Sequence, residues 1–340
     1  MKRKFKVLAI DGGGIKGLYS TRVLQEIEQR YGDCFLADHF DLICGTSTGG
    51  LIALALSLRK KAREVADFYV QKGDKIFPYS SWLSRQFAFI RQTLWYGKYG
   101  DKALKKCLEE FLGADTRMED AQVSLCIPSY NLTRGEPIVF KTPHGSFYRD
   151  RKIKMVDVAL ATSAAPTYFP IAELNYPTIK GLFVDGGVWA NNPTLCGVLE
   201  ALDHFVGEGK EFDSYSVLSI AGISSCNGWK MSDQKRKSFW GWKHRLFETP
   251  LDGQNFFADH FMKKLVENTT PSGQYFRIPS PSVLSKDHQE DIDMDKAGET
   301  SIKLIEGLGH QQGVDYTTKP EYKKVLDTFF EDQIIYQTTK

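Results

Sequence analysis

Three short segments of this sequence carry residue types that can do chemistry together. Gly45-Thr46-Ser47-Thr48-Gly49 fits the pattern G-x-S-x-G and lies between two apolar runs, Phe40 to Cys44 and Leu51 to Leu58. A serine on a sharp strand-to-helix turn is where a hydroxyl becomes an exposed nucleophile, and the flanking glycines leave room for that turn. The start of the following helix adds a positive end that favours an anionic transition state. Asp11-Gly12-Gly13-Gly14-Ile15-Lys16-Gly17 follows the apolar run Phe5 to Ile10. Three consecutive glycines expose backbone N–H groups with no side chains in the way, which suits a phosphate or an oxyanion. Lys16 adds positive charge nearby. Asp185 stands in Val184-Asp185-Gly186-Gly187, directly after a third apolar run. A carboxylate shielded by its neighbours has a raised pKa and can accept a serine proton directly.

Each segment also has a plainer reading. Gly12, Gly14 and Gly17 satisfy G-x-G-x-x-G, the dinucleotide fingerprint, and Asp185 suits a turn or a helix cap. The fingerprint wants an acid at the end of the second strand. Here Asp33 and Asp38 fall in the connection and Asp41 begins the strand. A serine at the second turn has no purpose in that scheme. In an acyl hydrolase both turns have one, so the hydrolase reading is favoured. A serine nucleophile needs a base, yet His39, His144, His204, His244, His260, His288 and His310 all lie in segments without a signature.

The elements that must position these groups read as strand, glycine turn, helix, repeated twice. Apolar spacing predicts a helix over Leu18 to Tyr31, stopped by Gly32, and a second one from Leu51. That succession opens an α/β fold with a parallel sheet of buried strands. Further strands are expected at Val123 to Pro128, Ile138 to Phe140, Leu182 to Val184 and Tyr215 to Ile220. Helices are expected at Met155 to Ser163, Pro193 to Phe205, Phe256 to Glu267 and Ala297 to Leu308. Neither a repeat nor a low-complexity linker divides the chain, which favours one domain with insertions. In Trp82 to Tyr96, residues Leu83, Phe87, Ile90 and Leu94 form a helical stripe, and further aromatics cover other faces. It reads as a core helix or as a lid that meets lipid.

Composition narrows the function classes. With 44 basic and 42 acidic residues in 340, the formal charge is +2, which argues against a DNA or RNA binder. The longest charge-free stretch, Leu42 to Leu58, is shorter than the roughly 20 apolar residues of a spanning helix. The basic N-terminus is followed by only Val7 to Ile10 before Asp11, too short for an export signal. The expected location is the cytoplasm. Cys34, Cys44, Cys107, Cys126, Cys196 and Cys226 show no C-x-x-C spacing and read as free thiols, with no metal site.

Taken together, the motifs resemble the patatin-like phospholipase family. The likeness rests on Asp11 to Gly17, Gly45 to Gly50, Ala161-Thr162-Ser163-Ala164-Ala165-Pro166 and Asp185-Gly186-Gly187, with Asn191-Asn192-Pro193 after the last. Asp252-Gly253-Gln254 and Tyr275-Phe276-Arg277-Ile278 extend it more weakly. The resemblance implies a three-layer fold, a mostly parallel central sheet flanked by helices. It implies a Ser–Asp dyad, with Ser47 as nucleophile and Asp185 as base, and Gly12, Gly13, Gly14 and Lys16 on the oxyanion side. No cofactor or metal is then required, and the substrates are acyl esters of membrane phospholipids. The expected organisation is a single domain over 1–340, its core about 5–222 and a C-terminal helical extension about 223–340. Within the family the chain looks most like the bacterial CapV effectors. Those are phospholipases switched on by a cyclic dinucleotide in antiphage defence, acting by peripheral contact at the inner face of the cell membrane.

One segment suits an activator. Asn227 to Arg245 holds six cations, among them Lys235, Arg236 and Arg245, against the single acid Asp233, with Trp229, Trp240 and Trp242 interleaved. Cations beside stacking aromatics can hold phosphates and bases or lie on anionic lipid. A solvated insertion with its tryptophans tucked inward is the plain alternative. Asp287 to Glu299 carries six acids and one lysine, so the near-zero net charge conceals two opposed clusters.

Overall fold

A computed structural model describes residues 3–76, 101–224, 245–269, 273–281, 292 and 297–334. The expected helix Trp82 to Tyr96 lies outside the described residues, as do Lys235, Arg236, Trp240, Trp242 and most of the acidic segment. Arg245 opens a helix. The strands are β1 (Phe5–Ile10), β2 (Leu42–Gly45), β3 (Ser124–Asn131), β4 (Glu136–Lys141), β5 (Ala172–Asn175), β6 (Lys180–Asp185), β7 (Tyr215–Ile220) and β8 (Gln274–Ile278). The helices are α1 (Gly17–Arg30), α2 (Thr48–Ser57), α3 (Ala62–Ile76), α4 (Asp101–Leu112), α5 (Met155–Ser163), α6 (Gly187–Ala190), α7 (Thr194–His204), α8 (Arg245–Asn268), α9 (Glu299–Thr318) and α10 (Pro320–Phe330).

Among the described residues the eight strands form one sheet with helices on both faces. β1 shows why its sequence is apolar at every position but Lys6, whose buried ammonium donates to the Phe329 carbonyl at 2.9 Å. Side chains alternate across a strand, so both faces of a sheet covered on both sides must be apolar. Leu8 and Ile10 join the larger core with residues of α1, α2, α3 and α5. Phe5, Val7 and Ala9 join the other, with Val198 of α7 and Met262 of α8. The pairs β1–β2, β2–β3, β1–β7 and β7–β8 are parallel, and β3–β4, β3–β6 and β5–β6 are antiparallel.

The register of β3 positions everything that follows. Cys126 of β3 pairs with both β2 and β4, and Ser129 pairs with both β4 and β6. A strand has two edges, so β2 and β6 share the edge opposite β4. β2 runs parallel to β3 and β6 antiparallel, so they point at each other along that edge. Their last pairings, Cys44 with Cys126 and Asp185 with Ser129, lie three residues apart on β3. At about 3.3 Å per residue that gap is about 10 Å, the space the 45–47 turn fills.

The sheet does not end at the expected core boundary. β8 lies beyond residue 222 and pairs in parallel with β7, so the C-terminal third supplies a strand as well as helices. β5, α3, α4 and α10 were not among the expected elements. Both long helices carry readable stripes, Ala62, Val65, Ala66 and Tyr69 in one and Leu104, Cys107, Leu108 and Leu112 in the other, all buried. Charged residues between those positions dilute the apolar signal without disturbing the period.

Helix α2 enters the sheet so closely that Gly45 and Gly49 have no room for a side chain. A Cβ on Gly49 would lie 2.2 Å from the Ile10 carbonyl oxygen, and one on Gly45 would lie 2.0 Å from the Gly49 oxygen. Gly49→Ala must therefore move backbone against backbone. It should cost at least about 1–3 kcal/mol, read as a lower urea midpoint; an unchanged midpoint would refute this contact.

Candidate active site

Ser47 sits at the tip of the turn between β2 and α2 with φ 55° and ψ −120°. A non-glycine residue at positive φ is strained, and the strain persists only where surrounding bonds fix it. Thr162 of α5 supplies one such bond: its Oγ1 accepts the Ser47 N–H at 2.9 Å and donates to the Pro128 carbonyl at 2.6 Å. The Ser47 hydroxyl, held outward from the turn, donates to Asp185 Oδ2 at 2.6 Å. Asp185 Oδ1 accepts the Gly187 N–H at 2.7 Å. The Asp185 carboxylate is buried, and burial raises its pKa to about 6, against the lowering effect of the Ser47 and Gly187 hydrogen bonds.

The one-turn helix α6 follows Asp185 and touches every part of this arrangement. Its first N–H holds Asp185. The Ala190 carbonyl accepts the Thr46 hydroxyl at 2.6 Å, fixing the turn that bears Ser47. The Asn191 carbonyl accepts the Gly12 N–H at 3.0 Å, fixing the glycine loop. Gly12 is therefore committed to the fold. The N–H groups of Gly13 and Gly14 meet no acceptor among the described residues. Lys16 is buried beside Gly13 and lines the same small cavity as Gly12 and Asn191.

The loop is anchored at its root by an ion pair. Asp11 is buried, and Arg277 of β8 grips its carboxylate with both terminal nitrogens while bonding Ser219 at 2.5 Å. Burial alone would lower the Arg277 pKa, and the Asp11 carboxylate more than offsets that and raises it. Beside Ser47 an apolar cavity is lined by Leu51, Phe68, Tyr69, Ile76, Tyr168 and Phe169 among others.

The model of the patatin-like phospholipase family matches residues 8–196. The chain belongs to that family. It is 31% identical over 327 residues to a cGAMP-activated phospholipase of Escherichia coli (strain TW11681), covering 91% of this chain and 89% of that protein. A cGAMP-activated phospholipase of Vibrio cholerae is 30% identical over 349 residues, covering 97% and 95% respectively. One of Pseudomonas aeruginosa is 34% identical over 290 residues, covering 85% and 81%. A patatin-like phospholipase of this kind is a lipid acyl hydrolase. The dinucleotide reading of Gly12, Gly14 and Gly17 gives way to it.

Within this patatin-like site, the residues singled out for chemistry lie together: Ser47 with Asp185, and Gly14 beside Ser47 on the same cavity. The described histidines are engaged elsewhere. His39 packs on Phe330, His144 and His204 face Glu200, His260 stacks on Phe256, and His310 bonds Glu26. His244 and His288 lie outside the described residues. Cys34, Cys44, Cys107, Cys126 and Cys196 are free thiols. Among the described residues no helix is long and apolar enough to cross a membrane. Arg277 and Thr162 had no assigned role at the level of sequence, though both fall in segments quoted for the family likeness. An arginine inside the apolar strand Tyr275 to Ile278 was the available signal, because a cation is buried only with a partner.

Among the described residues no cation pairs with the buried Asp185, and burying it so costs stability. Its folded pKa lies above the unfolded value near 3.8, so the folded state holds the proton more tightly. Stability thus falls as pH rises from about 4 through about 6, and the full penalty stands above that range. By linkage it is on the order of 3 kcal/mol. Asp185→Asn should therefore match or exceed the wild type in urea at pH 8 and lose that advantage at pH 4. A variant less stable than wild type at pH 8 would refute this electrostatic account.

Proposed function

We propose that this patatin-like phospholipase cleaves fatty-acyl esters of membrane phospholipids through a Ser47–Asp185 dyad, under control of a cyclic dinucleotide. The observation that carries the chemistry is the 2.6 Å hydrogen bond from Ser47 to a buried carboxylate, with the described histidines engaged elsewhere. Ser47 Oγ attacks the ester carbonyl carbon as its proton passes to Asp185 Oδ2. The developing oxyanion takes the N–H groups of Gly13 and Gly14, with Lys16 adding positive charge. Collapse breaks the ester bond, and the departing alkoxide takes the proton back from Asp185. Water then attacks the acyl-enzyme, gives its proton to Asp185, and the fatty acid leaves as that proton returns to Ser47. A base with a pKa of about 6 suits this work near neutral pH. The apolar cavity beside Ser47 takes the acyl chain.

Control by a cyclic dinucleotide is supported by three cGAMP-activated relatives that share 30–34% identity over most of this chain. The same likeness supports a place in bacterial antiphage defence, in the cytoplasm and at the inner face of the membrane. The activator contacts proposed on sequence grounds are Lys235, Arg236, Trp240, Trp242 and Arg245.

Fatty-acid release from phospholipid vesicles with and without cGAMP tests both halves. Release should rise sharply with cGAMP; equal rates would remove the control and leave the hydrolase. Ser47→Ala should abolish release, and Asp185→Asn should cut it about 10²–10⁴-fold. Replacing any single histidine should leave most activity, and a folded but dead histidine variant would sink the dyad. The rate should fall on the acid side with a midpoint near pH 6, where Asp185 takes up its proton.

A further inference from the structure

We infer that Gln254 and Asn255 of α8 are positioning residues for the reaction, holding the base and the glycine loop in register with Ser47 through the helix α6. The inference rests on the Ser47–Asp185 reading above. α6 is a single turn, Gly187–Ala190, and a single turn has too few internal hydrogen bonds to hold its own shape. Yet it sets three distances: Gly187 to Asp185, Ala190 to Thr46, and Asn191 to Gly12. Something outside it must fix it.

The adjacent carboxamides of α8 do so. Gln254 accepts the Asn191 N–H on Oε1 at 3.3 Å and donates from Nε2 to the Val188 carbonyl at 3.2 Å. Asn255 Oδ1 accepts the Asn191 side-chain amide at 3.0 Å. One carboxamide thus bridges from Val188 in α6 to Asn191 just beyond its end, and the next pins the Asn191 side chain. Asn191 is buried, so its amide depends on protein partners. Among the described residues the hydrogen bonds of Gln254 and Asn255 go to Val188 and Asn191, not to Ser47 or Asp185, so any effect on rate passes through α6 and Asn191. Geometry is where such an effect is large, because a displacement near 1 Å at the reacting centre can cost about 10²-fold. Loosening α6 also weakens the Gly187 hydrogen bond that lowers the Asp185 pKa, so the base should titrate at higher pH.

The test uses the full chain with cGAMP present and p-nitrophenyl butyrate as a soluble ester. Gln254→Ala and Asn255→Leu should each lower kcat roughly 10–100-fold with KM nearly unchanged, and should move the acid limb of the rate upward in pH. Asn255→Asp keeps an acceptor for the Asn191 amide and should recover much of the rate. Phe257→Ser, on the exposed face of the same helix, should behave as wild type. Wild-type kcat and an unshifted acid limb in Gln254→Ala and Asn255→Leu overturn the inference. So does an equal loss in Phe257→Ser, which makes general damage to α8 the cause. If leucine at 255 prevents folding, Gln254→Ala and Asn255→Asp decide the matter. Ser47→Ala, run alongside, reports on the dyad itself: turnover that survives it refutes the dyad, whatever the α8 variants do.

Discussion

A carboxylate buried without a cation must be held by hydrogen bonds, and the structure is arranged around holding Asp185 by two of them. The Ser47 hydroxyl and the Gly187 N–H occupy one oxygen each. Neither bond can form unless the end of β2 and the end of β6 arrive at the same place. They do because both lie on one edge of β3 and run toward each other. Ser129 stands at the meeting point, pairing with Asp185 and donating its hydroxyl to the Val184 carbonyl at 2.8 Å. A one-residue slip of β6 would turn Asp185 to the other face of the sheet. The interlocked pairing of β3 on both edges makes that slip costly.

That constraint also bears on the proposed dyad, in which no imidazole among the described residues takes part. A histidine base needs a third group to orient it, because its ring is held at a distance by a flexible side chain. An aspartate at a strand end is placed by the backbone itself, here with its own N–H bonded to the Ala164 carbonyl at 3.1 Å. What the carboxylate lacks at neutral pH is basicity, and burial supplies it by raising the pKa. The same burial that would make Asp185 a usable base in the proposed dyad makes it a liability for the fold, a trade seen wherever a strained or desolvated group is kept for function.

Legibility from sequence followed the physics of each part. The strands β1 and β7 read clearly because a doubly covered parallel strand is mostly apolar on both faces, with only Lys6 in one and Ser216 and Ser219 in the other as exceptions, and the observed limits of both coincide with the expected ones. The serine turn read clearly because two glycines at fixed offsets leave few other structures. The junction of β2 and β6 did not, since register is a relation between strands distant in sequence. β8 escaped as an element because Arg277 interrupts its apolar pattern, and that arginine is explained only by Asp11, 266 residues away. Gln254 was noted as part of a weak family likeness, but its role depends on Val188 and Asn191, which no local pattern connects to it. Gly12 shows the converse: its type suggested an anion site, while its N–H is taken by the Asn191 carbonyl.

The surroundings of Ser47 differ in kind from one side to the other, and in the proposed reaction that difference would orient a substrate. Toward Phe68, Tyr69 and Tyr168 the surface is apolar, and toward Gly13 and Lys16 it is backbone and charge. An acyl chain placed in the apolar cavity gains about 0.8 kcal/mol for each methylene withdrawn from water. That gain is present before and during the attack alike, so by itself it tightens binding without speeding the step. It contributes to rate only by presenting the carbonyl oxygen to donors already in position. In the proposed reaction those donors are the N–H groups of Gly13 and Gly14, in a loop held by the Asn191 carbonyl and the Asp11–Arg277 pair. Preorganisation of the loop therefore decides how much of the chain's binding energy becomes catalysis.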